Sequence, residues 1–133
     1  MTNAGFKKSE RLCSQKLIGM LFSEGRSFFC FPYSVRWKMI ACDTAQAPQV
    51  LISVSKRRFR HAVDRNRVKR LTRECYRLNK ARLLALMSKT NKTLLLSLTF
   101  VNSSIPDYRT LSARFPHLIE QLVHEIETYT ENE

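Results

Sequence analysis

The stretch KRRFRHAVDRNRVKRLTRECYRLNK, from Lys56 to Lys80, combines dense positive charge with regularly spaced apolar residues. On a helix with about 100° per residue, the apolar residues share one face: Val68, Leu71, Cys75 and Leu78. The cations share the opposite face: Arg65, Lys69, Arg70, Arg73, Arg77 and Lys80. The pattern therefore predicts an amphipathic helix over 65–80 that packs on a folded core and presents a basic surface outward.

The positive charge of the chain is concentrated in this segment. Residues 56–82 hold 12 of the 23 Lys and Arg residues and two acidic ones, whereas residues 120–133 hold five glutamates and no cation. A net charge of +12 on 133 residues indicates a polyanionic partner, which can be RNA, DNA or an anionic membrane surface. A merely solvated helix face is the alternative, but few acidic residues lie four positions from the cations to relieve their repulsion. We therefore expect the segment to bind a polyanion.

The chain lacks the patterns that are typical of membrane and secreted proteins. Its longest apolar run, 94–101, is too short to span a bilayer, and residues 1–10 lack the apolar core of a signal peptide. Its cysteines form no CxxC pair and are expected to be reduced thiols: Cys13, Cys30, Cys42 and Cys75. Cys75 is expected to be a small core residue. We therefore expect a soluble cytoplasmic protein that binds no membrane.

The residues before the basic segment predict one helix and two strands. Residues 8–24 place apolar residues at helical spacing, with Gly25 as the stop: Leu12, Leu17, Ile18, Leu21 and Phe22. Residues 27–40, which alternate from Val35 onward, predict a strand in which Pro32 indicates an edge or a bulge. Residues 42–48 read as a turn, and 49–55 as a second strand that pairs with the first in a hairpin.

The residues after the basic segment predict a strand and a helix. Residues 91–101 are apolar on both faces, which indicates a buried strand. The final helix, 112–128, has an apolar stripe: Leu111, Phe115, Leu118, Leu122 and Ile126. Pro116 is expected in its first turn. The order α-β-β-α-β-α predicts a single α+β domain over 1–133, with a small sheet packed by helices, an ordered core at about 8–128 and flexible tails.

The segment AVDRNRVKRLTRE (Ala62–Glu74), which follows a strand ending in SVSKR, resembles the signature of the bacterial ribonuclease P protein subunit. That family carries an Arg-Asn-Arg core, a hydrophobic residue, Lys-Arg and a further Arg. The matching residues are Arg65, Asn66, Arg67, Val68, Lys69, Arg70 and Arg73. The resemblance spans residues 8–126. The chain departs from many relatives in having His61 where they have Asn, Ile18 where an aromatic is common, and an acidic C-terminal tail.

The resemblance implies a function and a fold. Ribonuclease P removes the 5′ leader of precursor tRNA by hydrolysing one phosphodiester bond, and its RNA subunit with bound Mg²⁺ is the catalyst. The protein binds that RNA through the Arg-Asn-Arg helix and holds the leader between the sheet and the first helix, with no obligate protein partner. The implied fold is ribosomal protein S5 domain 2-like, with a left-handed βαβ crossover that departs from the usual right-handed rule.

Two sets of site residues follow from this resemblance. The expected contacts to the catalytic RNA are Arg57, Arg58, Arg60, Arg65, Asn66, Arg67, Lys69, Arg70 and Arg73, since arginine binds phosphate oxygens bidentately. Asn66 has a local backbone hydrogen bond as its alternative role. The expected leader cleft comprises Ile18, Phe22, Tyr33, Arg36, Trp37 and Lys56, because single strands bind by stacking plus charge. Aromatic strand residues can instead belong to the core.

The sequence holds no constellation of catalytic or metal-binding residues. Its histidines, His61, His117 and His124, and its aspartates, Asp43, Asp64 and Asp107, are scattered along the chain. We therefore expect no catalytic residue and no metal ligand in the protein. Two alternatives remain: an RNA-binding module of the ribosomal protein kind, and a DNA-binding protein that uses the basic helix in a major groove. Predicted strands flank the helix, and this argues against the DNA-binding alternative.

Overall fold

The computed structural model describes residues 10–41, 47–90 and 92–131. Its elements, in chain order, are α1 (Gln15–Glu24), β1 (Arg26–Cys30), β2 (Tyr33–Ala41), β3 (Gln49–Val54), α2 (Ala62–Asn79), α3 (Ala81–Met87), β4 (Lys92–Phe100) and α4 (Tyr108–Glu131). The α+β class with a small sheet packed by helices is confirmed. The predicted order missed one strand and one helix, β1 and α3. Both expected tail ends and most of the predicted turn, including Cys42, lie outside the described residues.

The four strands form one mixed sheet in the order β1-β2-β4-β3. β1 pairs with β2 and β2 with β4 in antiparallel fashion, whereas β3 is parallel to β4. The predicted hairpin between 27–40 and 49–55 is therefore wrong. The first of these segments folds on itself at Phe31–Pro32, which leaves β2 between β1 and β4. β3 can be parallel to β4 because α2 and α3 form the long connection that this pairing requires. The left-handed course of that crossover stays a prediction.

Strand alternation sends the apolar residues to two faces of the sheet. The larger core contains Val35 and Trp37 of β2 together with Leu96 and Leu98 of β4, and it is covered by α2, α3 and α4. The predicted stripe of the last helix is buried in this core, as expected: Leu111, Phe115, Leu118, Leu122 and Ile126.

The last helix starts earlier than predicted. α4 begins at Tyr108, where Asp107 Oδ1 accepts a hydrogen bond of 2.9 Å from the Thr110 amide. Pro116 thus lies inside the helix and not in its first turn. Because proline has no N–H, the carbonyl of Ser112 loses one backbone partner there.

The opposite face of the sheet is covered in part by α1. Leu12, Leu21 and Leu95 form a smaller core there. Leu12 lies outside the helix, contrary to the prediction, and its amide donates to the carbonyl of Val50 on β3 at 2.9 Å. Gly25 ends α1 as predicted, and a Cβ at this position would lie 2.3 Å from the carbonyl oxygen of Leu21.

The basic segment forms α2, but its buried face is rotated from the predicted one. The buried side chains of α2 are Val68, Thr72, Cys75 and Tyr76. Leu71 is half-buried, and Leu78 is exposed, so the predicted apolar stripe is wrong at Leu78. Burial raises the pKa of the Cys75 thiol to about 11, as suits a core residue. Within the described ranges, no helix has both the length and the apolar character needed to cross a membrane.

Candidate nucleic-acid interface

The connection between β3 and α2 is a tight turn that is anchored at one aromatic residue. Phe59 is buried, and its ring centroid lies 6.0 Å from that of Phe100. The Ser55 carbonyl accepts from the amides of Arg58 and Phe59, and the Ser55 hydroxyl accepts from the Arg57 amide at 3.0 Å. The anchored turn leaves its basic side chains exposed: Lys56, Arg57, Arg58 and Arg60. Arg58 reaches the Ser103 hydroxyl at 3.5 Å.

Arg65 joins this turn to the first part of α2. Its Nη1 donates to the carbonyls of Phe59 at 2.8 Å and Arg60 at 3.0 Å. A guanidinium has five N–H donors, so Arg65 keeps donors for a phosphate. The structure nevertheless gives Arg65 a structural role that the sequence did not predict. Asn66, one position later, is exposed, and its side chain forms no hydrogen bond within the described residues.

The remaining cations of α2 lie on both sides of the helix. Arg67 and Arg70 line a groove of about 430 Å³ together with Leu71, Glu74 and Tyr108. On the other side, beside the edge of β3, a smaller cleft of about 170 Å³ is lined by Arg11, Leu12, Cys13, Val50, Leu51, Ile52, Lys69 and Arg73.

These cations have no acidic partner among the described residues: Lys56, Arg57, Arg60, Arg67, Lys69, Arg70 and Arg73. Arg58 and Arg65 also lack an acidic partner but donate hydrogen bonds within the protein, so the turn and α2 carry seven cations that form neither an ion pair nor a side-chain hydrogen bond among the described residues. We call these seven residues the basic band.

Two cations that the sequence placed on the outward face of the helix are engaged elsewhere. Arg77 donates from Nε to Glu74 Oε2 at 3.0 Å, and this pairing lowers the pKa of the Glu74 carboxyl. Lys80 is buried, and its Nζ lies 2.7 Å from Oε1 of the buried Glu10. The predicted face is therefore wrong for Lys80, because the end of α2 turns inward to meet the N-terminal segment.

A second candidate surface lies where α1 leaves the sheet uncovered. Arg36 of β2 donates from Nη1 to the Phe22 carbonyl at 3.4 Å, and its guanidinium lies 5.5 Å from the centroid of the Phe22 ring. Phe22 is exposed and Ile18 half-buried. One row of the sheet beside this pair carries small polar residues: Ser34, Thr99 and Ser53. The exposed Lys56 follows β3 by two residues.

The structure separates two predicted cleft residues from the rest. Tyr33 and Trp37 are each 1% exposed and point into the larger core. The Tyr33 hydroxyl lies 2.6 Å from that of Thr72, and Trp37 Nε1 donates to Glu125 Oε1 at 3.3 Å. Burial also raises the pKa of Tyr33. Because alternate residues of a strand face opposite sides, Tyr33 and Trp37 cannot share a cleft with Arg36. Their assignment to the leader cleft is wrong.

Sequence reasoning missed three residues at these surfaces. Phe29 is 60% exposed and pairs with Ser34, so it borders the polar row. Ser97, beside Arg36 in the sheet, has a buried hydroxyl without a hydrogen-bond partner among the described residues. Tyr108 is 40% exposed and lines the groove beside α2. The alternation of RSFFC before Pro32 could have predicted that Phe29 faces outward. The position of Tyr108 beside α2 depends on the packing of α4 on α2, which the sequence pattern does not show.

The described carboxylates, thiols and imidazoles stay dispersed. No three of them converge in a way that could hold a metal ion within the described ranges. The three histidines are all exposed. Both surfaces can therefore bind through charge, stacking and hydrogen bonding.

The sequence and the fold both match known proteins. A family model described as Ribonuclease P matches residues 6–115. The chain is 40% identical over 107 residues to the ribonuclease P protein component of Porphyromonas gingivalis, which covers 80% of this chain and 78% of that one. The ribonuclease P protein component of Chlorobium phaeobacteroides is 40% identical over 83 residues, which are 60% of this chain and 57% of that one.

Solved structures show the same fold at low sequence identity. The RNase P protein of Thermotoga maritima has a TM-score of 0.63 at 21% identity, covering 84% of this chain and 96% of that one. The RNase P protein of Staphylococcus aureus has a TM-score of 0.63 at 18% identity, covering 86% and 96%. The family model and the relative at 40% identity confirm the resemblance of the Arg-Asn-Arg segment: this chain belongs to the ribonuclease P protein family.

Proposed function

We propose that this chain is the protein subunit of ribonuclease P, acting in the cytoplasm without an obligate protein partner. Membership of the family implies a role in 5′ maturation of tRNA. In the proposal, the protein binds the catalytic RNA through α2 and holds the 5′ leader of precursor tRNA beside α1. The observation that carries the proposal is the basic band, seven cations without an acidic partner among the described residues.

The basic band supports binding to a folded RNA. Arg67 and Arg73 are six residues apart, so they span about 9 Å along the helix, and the turn before α2 extends the band further. Each phosphate that the band neutralises releases counterions, which makes the affinity fall with salt. Arg65 holds the turn to the helix, and this fixes the turn cations relative to those of α2.

The surface beside α1 supports binding to a single strand. Phe22 and Phe29 offer exposed rings on which bases can stack, and Arg36 and Lys56 offer charge for the backbone. Arg36 now rests on the Phe22 ring, so a base that stacks there displaces or joins the guanidinium. In this proposal the leader cleft comprises Ile18, Phe22, Phe29, Arg36 and Lys56.

In this proposal, Mg²⁺ is bound by the RNA and not by the protein. The described side chains do not fit a Mg²⁺ site, because no three possible ligands converge and the basic band repels a cation. The Mg²⁺ ligands are then oxygens of the RNA subunit and its substrate. The contribution of this chain is to lower the electrostatic cost of bringing the two RNAs together.

The test is cleavage of a precursor tRNA by ribonuclease P RNA from the same organism at low Mg²⁺, with and without the protein. The informative variant changes Arg67, Arg70 and Arg73 to alanine, since the side chains of these three form no hydrogen bond or ion pair within the described residues. Arg65 is left intact because its loss would also free the turn. A variant with Arg82 and Lys89 changed to alanine removes two exposed cations outside the band and serves as a control for loss of charge elsewhere.

We expect the wild type and the control to restore cleavage at the mature 5′ end, and the triple variant to lose this effect at moderate salt. A wild type that binds RNA tightly without promoting cleavage would make the chain a general RNA-binding module. Preferred binding to duplex DNA would favour the major-groove alternative.

A further inference from the structure

The groove between α2 and α4 has the size of a small-ligand site. Its volume of about 430 Å³ lies within the range of roughly 300–1,000 Å³ that is common for such sites. Leu71 forms an apolar part of its wall and packs against the larger core. Tyr108 is the first residue of α4, and the Asp107 cap at 2.9 Å from the Thr110 amide holds that end of the helix in place.

The charges around the groove are of both signs. Arg67 and Arg70 are exposed and have no ion-pair partner among the described residues. Glu74 also lines the groove, held by two hydrogen bonds from Arg77. A carboxylate has about four acceptor positions, so Glu74 can still accept from a ligand. A simple anion would be attracted by the arginines but repelled by Glu74.

A ligand for this groove therefore needs three features together: a flat ring for Tyr108, an anionic group for the arginines and an N–H donor for Glu74. A nucleotide has all three, since its base stacks on aromatic side chains and its edge carries N–H donors. We propose that the groove holds one unpaired nucleotide of the RNA that α2 binds, with its base stacked on Tyr108, its phosphates on Arg67 and Arg70, and a base N–H donated to Glu74. This proposal rests on the proposed function, because it takes that RNA to be the ribonuclease P RNA.

The test measures equilibrium binding of ribonuclease P RNA to the full chain at several salt concentrations. Tyr108→Ala removes the ring and Tyr108→Phe keeps it, while Tyr108→Leu keeps apolar bulk without a flat face. Phe31→Ala removes an aromatic side chain of similar exposure, 44% against 40%, at the turn between β1 and β2 and outside the groove lining. Circular dichroism establishes whether each variant is folded. If Tyr108→Ala is not folded, Tyr108→Leu takes its place in the binding measurement.

We expect Tyr108→Ala and Tyr108→Leu to weaken RNA binding roughly 5- to 100-fold, which is the effect of losing one base stacked on an aromatic ring. The slope of log affinity against log salt should stay unchanged, because no phosphate contact is lost. Tyr108→Phe and Phe31→Ala should bind within about twofold of the wild type. Arg67→Ala should instead reduce the salt slope by about one.

Three results would overturn the proposal. The first is wild-type affinity for Tyr108→Ala or Tyr108→Leu, and the second is an equal loss for Tyr108→Phe. The third is a loss confined to the affinity of the assembled holoenzyme for precursor tRNA, which would assign the nucleotide to the substrate. A separate measurement shows whether the proposed function itself fails. In that case the wild type would bind ribonuclease P RNA no more tightly than an unrelated RNA of equal length.

Discussion

Among single residues, Ser97 carries a buried hydroxyl that costs stability. It lies in β4 beside Arg36, is 1% exposed, and its hydroxyl has no hydrogen-bond partner in the described part of the chain. A buried polar group without a partner costs about 1–3 kcal/mol. We therefore expect Ser97→Ala to raise the free energy of unfolding by about 1 kcal/mol, as measured by urea denaturation.

Ser34→Ala is the matched control, since Ser34 lies on the same face of the sheet and is only half-buried. We expect this control to change the free energy of unfolding by less than about 0.5 kcal/mol. A loss of stability in Ser97→Ala would mean that the hydroxyl has a partner in solution, such as a buried water molecule.

For single residues, the sequence predicted where positive charge is concentrated more accurately than the face on which each side chain lies. The basic band could be foreseen because charge density is visible in the sequence, and most of the predicted RNA contacts are exposed. Tyr33 and Trp37 were misplaced because alternation defines two faces of a strand without saying which one the core covers. Lys80 was misplaced because its partner, Glu10, is distant in the sequence. Such long-range pairings are set by the tertiary fold.

At the level of elements, the N-terminal segment is joined to the end of α2. Arg11 bridges to Val50 on the edge of β3, and the adjacent Glu10 pairs with Lys80 in a buried position. Removing one partner of a buried pair leaves an uncompensated charge and costs about 3–5 kcal/mol. We expect Lys80→Met to lower the free energy of unfolding by about this amount in urea denaturation.

A double variant separates the charge effect from the loss of packing. Glu10→Gln with Lys80→Met leaves no buried charge, so it should recover most of the lost stability. Arg82→Ala breaks an exposed pair with Glu120 and should change stability little. If the double variant is as unstable as Lys80→Met alone, the buried pair is not the source of the effect.

Helices and strands could be predicted where the sequence pattern that defines them lies within the element itself. The stripe of α4 repeats every three or four residues, and all five predicted positions are buried. The hairpin of β1 and β2 was missed because the sequence pattern predicts one strand over 27–40, although Phe31–Pro32 interrupts it. The parallel pairing of β3 with β4 joins segments about 45 residues apart. Local periodicity does not specify which strands become neighbours.

At the level of the whole molecule, the charge is unevenly distributed. Glu120 pairs with Arg82 and Glu125 accepts from Trp37, so acidic residues of α4 interact within the fold. The basic band has no such compensation among the described residues. With a net charge of +12, the folded chain accumulates repulsion that an unfolded chain can spread out.

A multivalent anion should therefore stabilise the free protein. An anion that binds only the folded state raises the free energy of unfolding by about 2.7 kcal/mol when it is present at 100 times its Kd. We expect sulfate to raise the melting temperature, measured by circular dichroism, more than sodium chloride does at the same ionic strength. The variant lacking Arg67, Arg70 and Arg73 should lose most of this difference, whereas the Arg82 and Lys89 variant should keep it. An equal response to both salts would mean that the repulsion is relieved by general screening, and that the basic band of the free protein has no specific affinity for oxyanions.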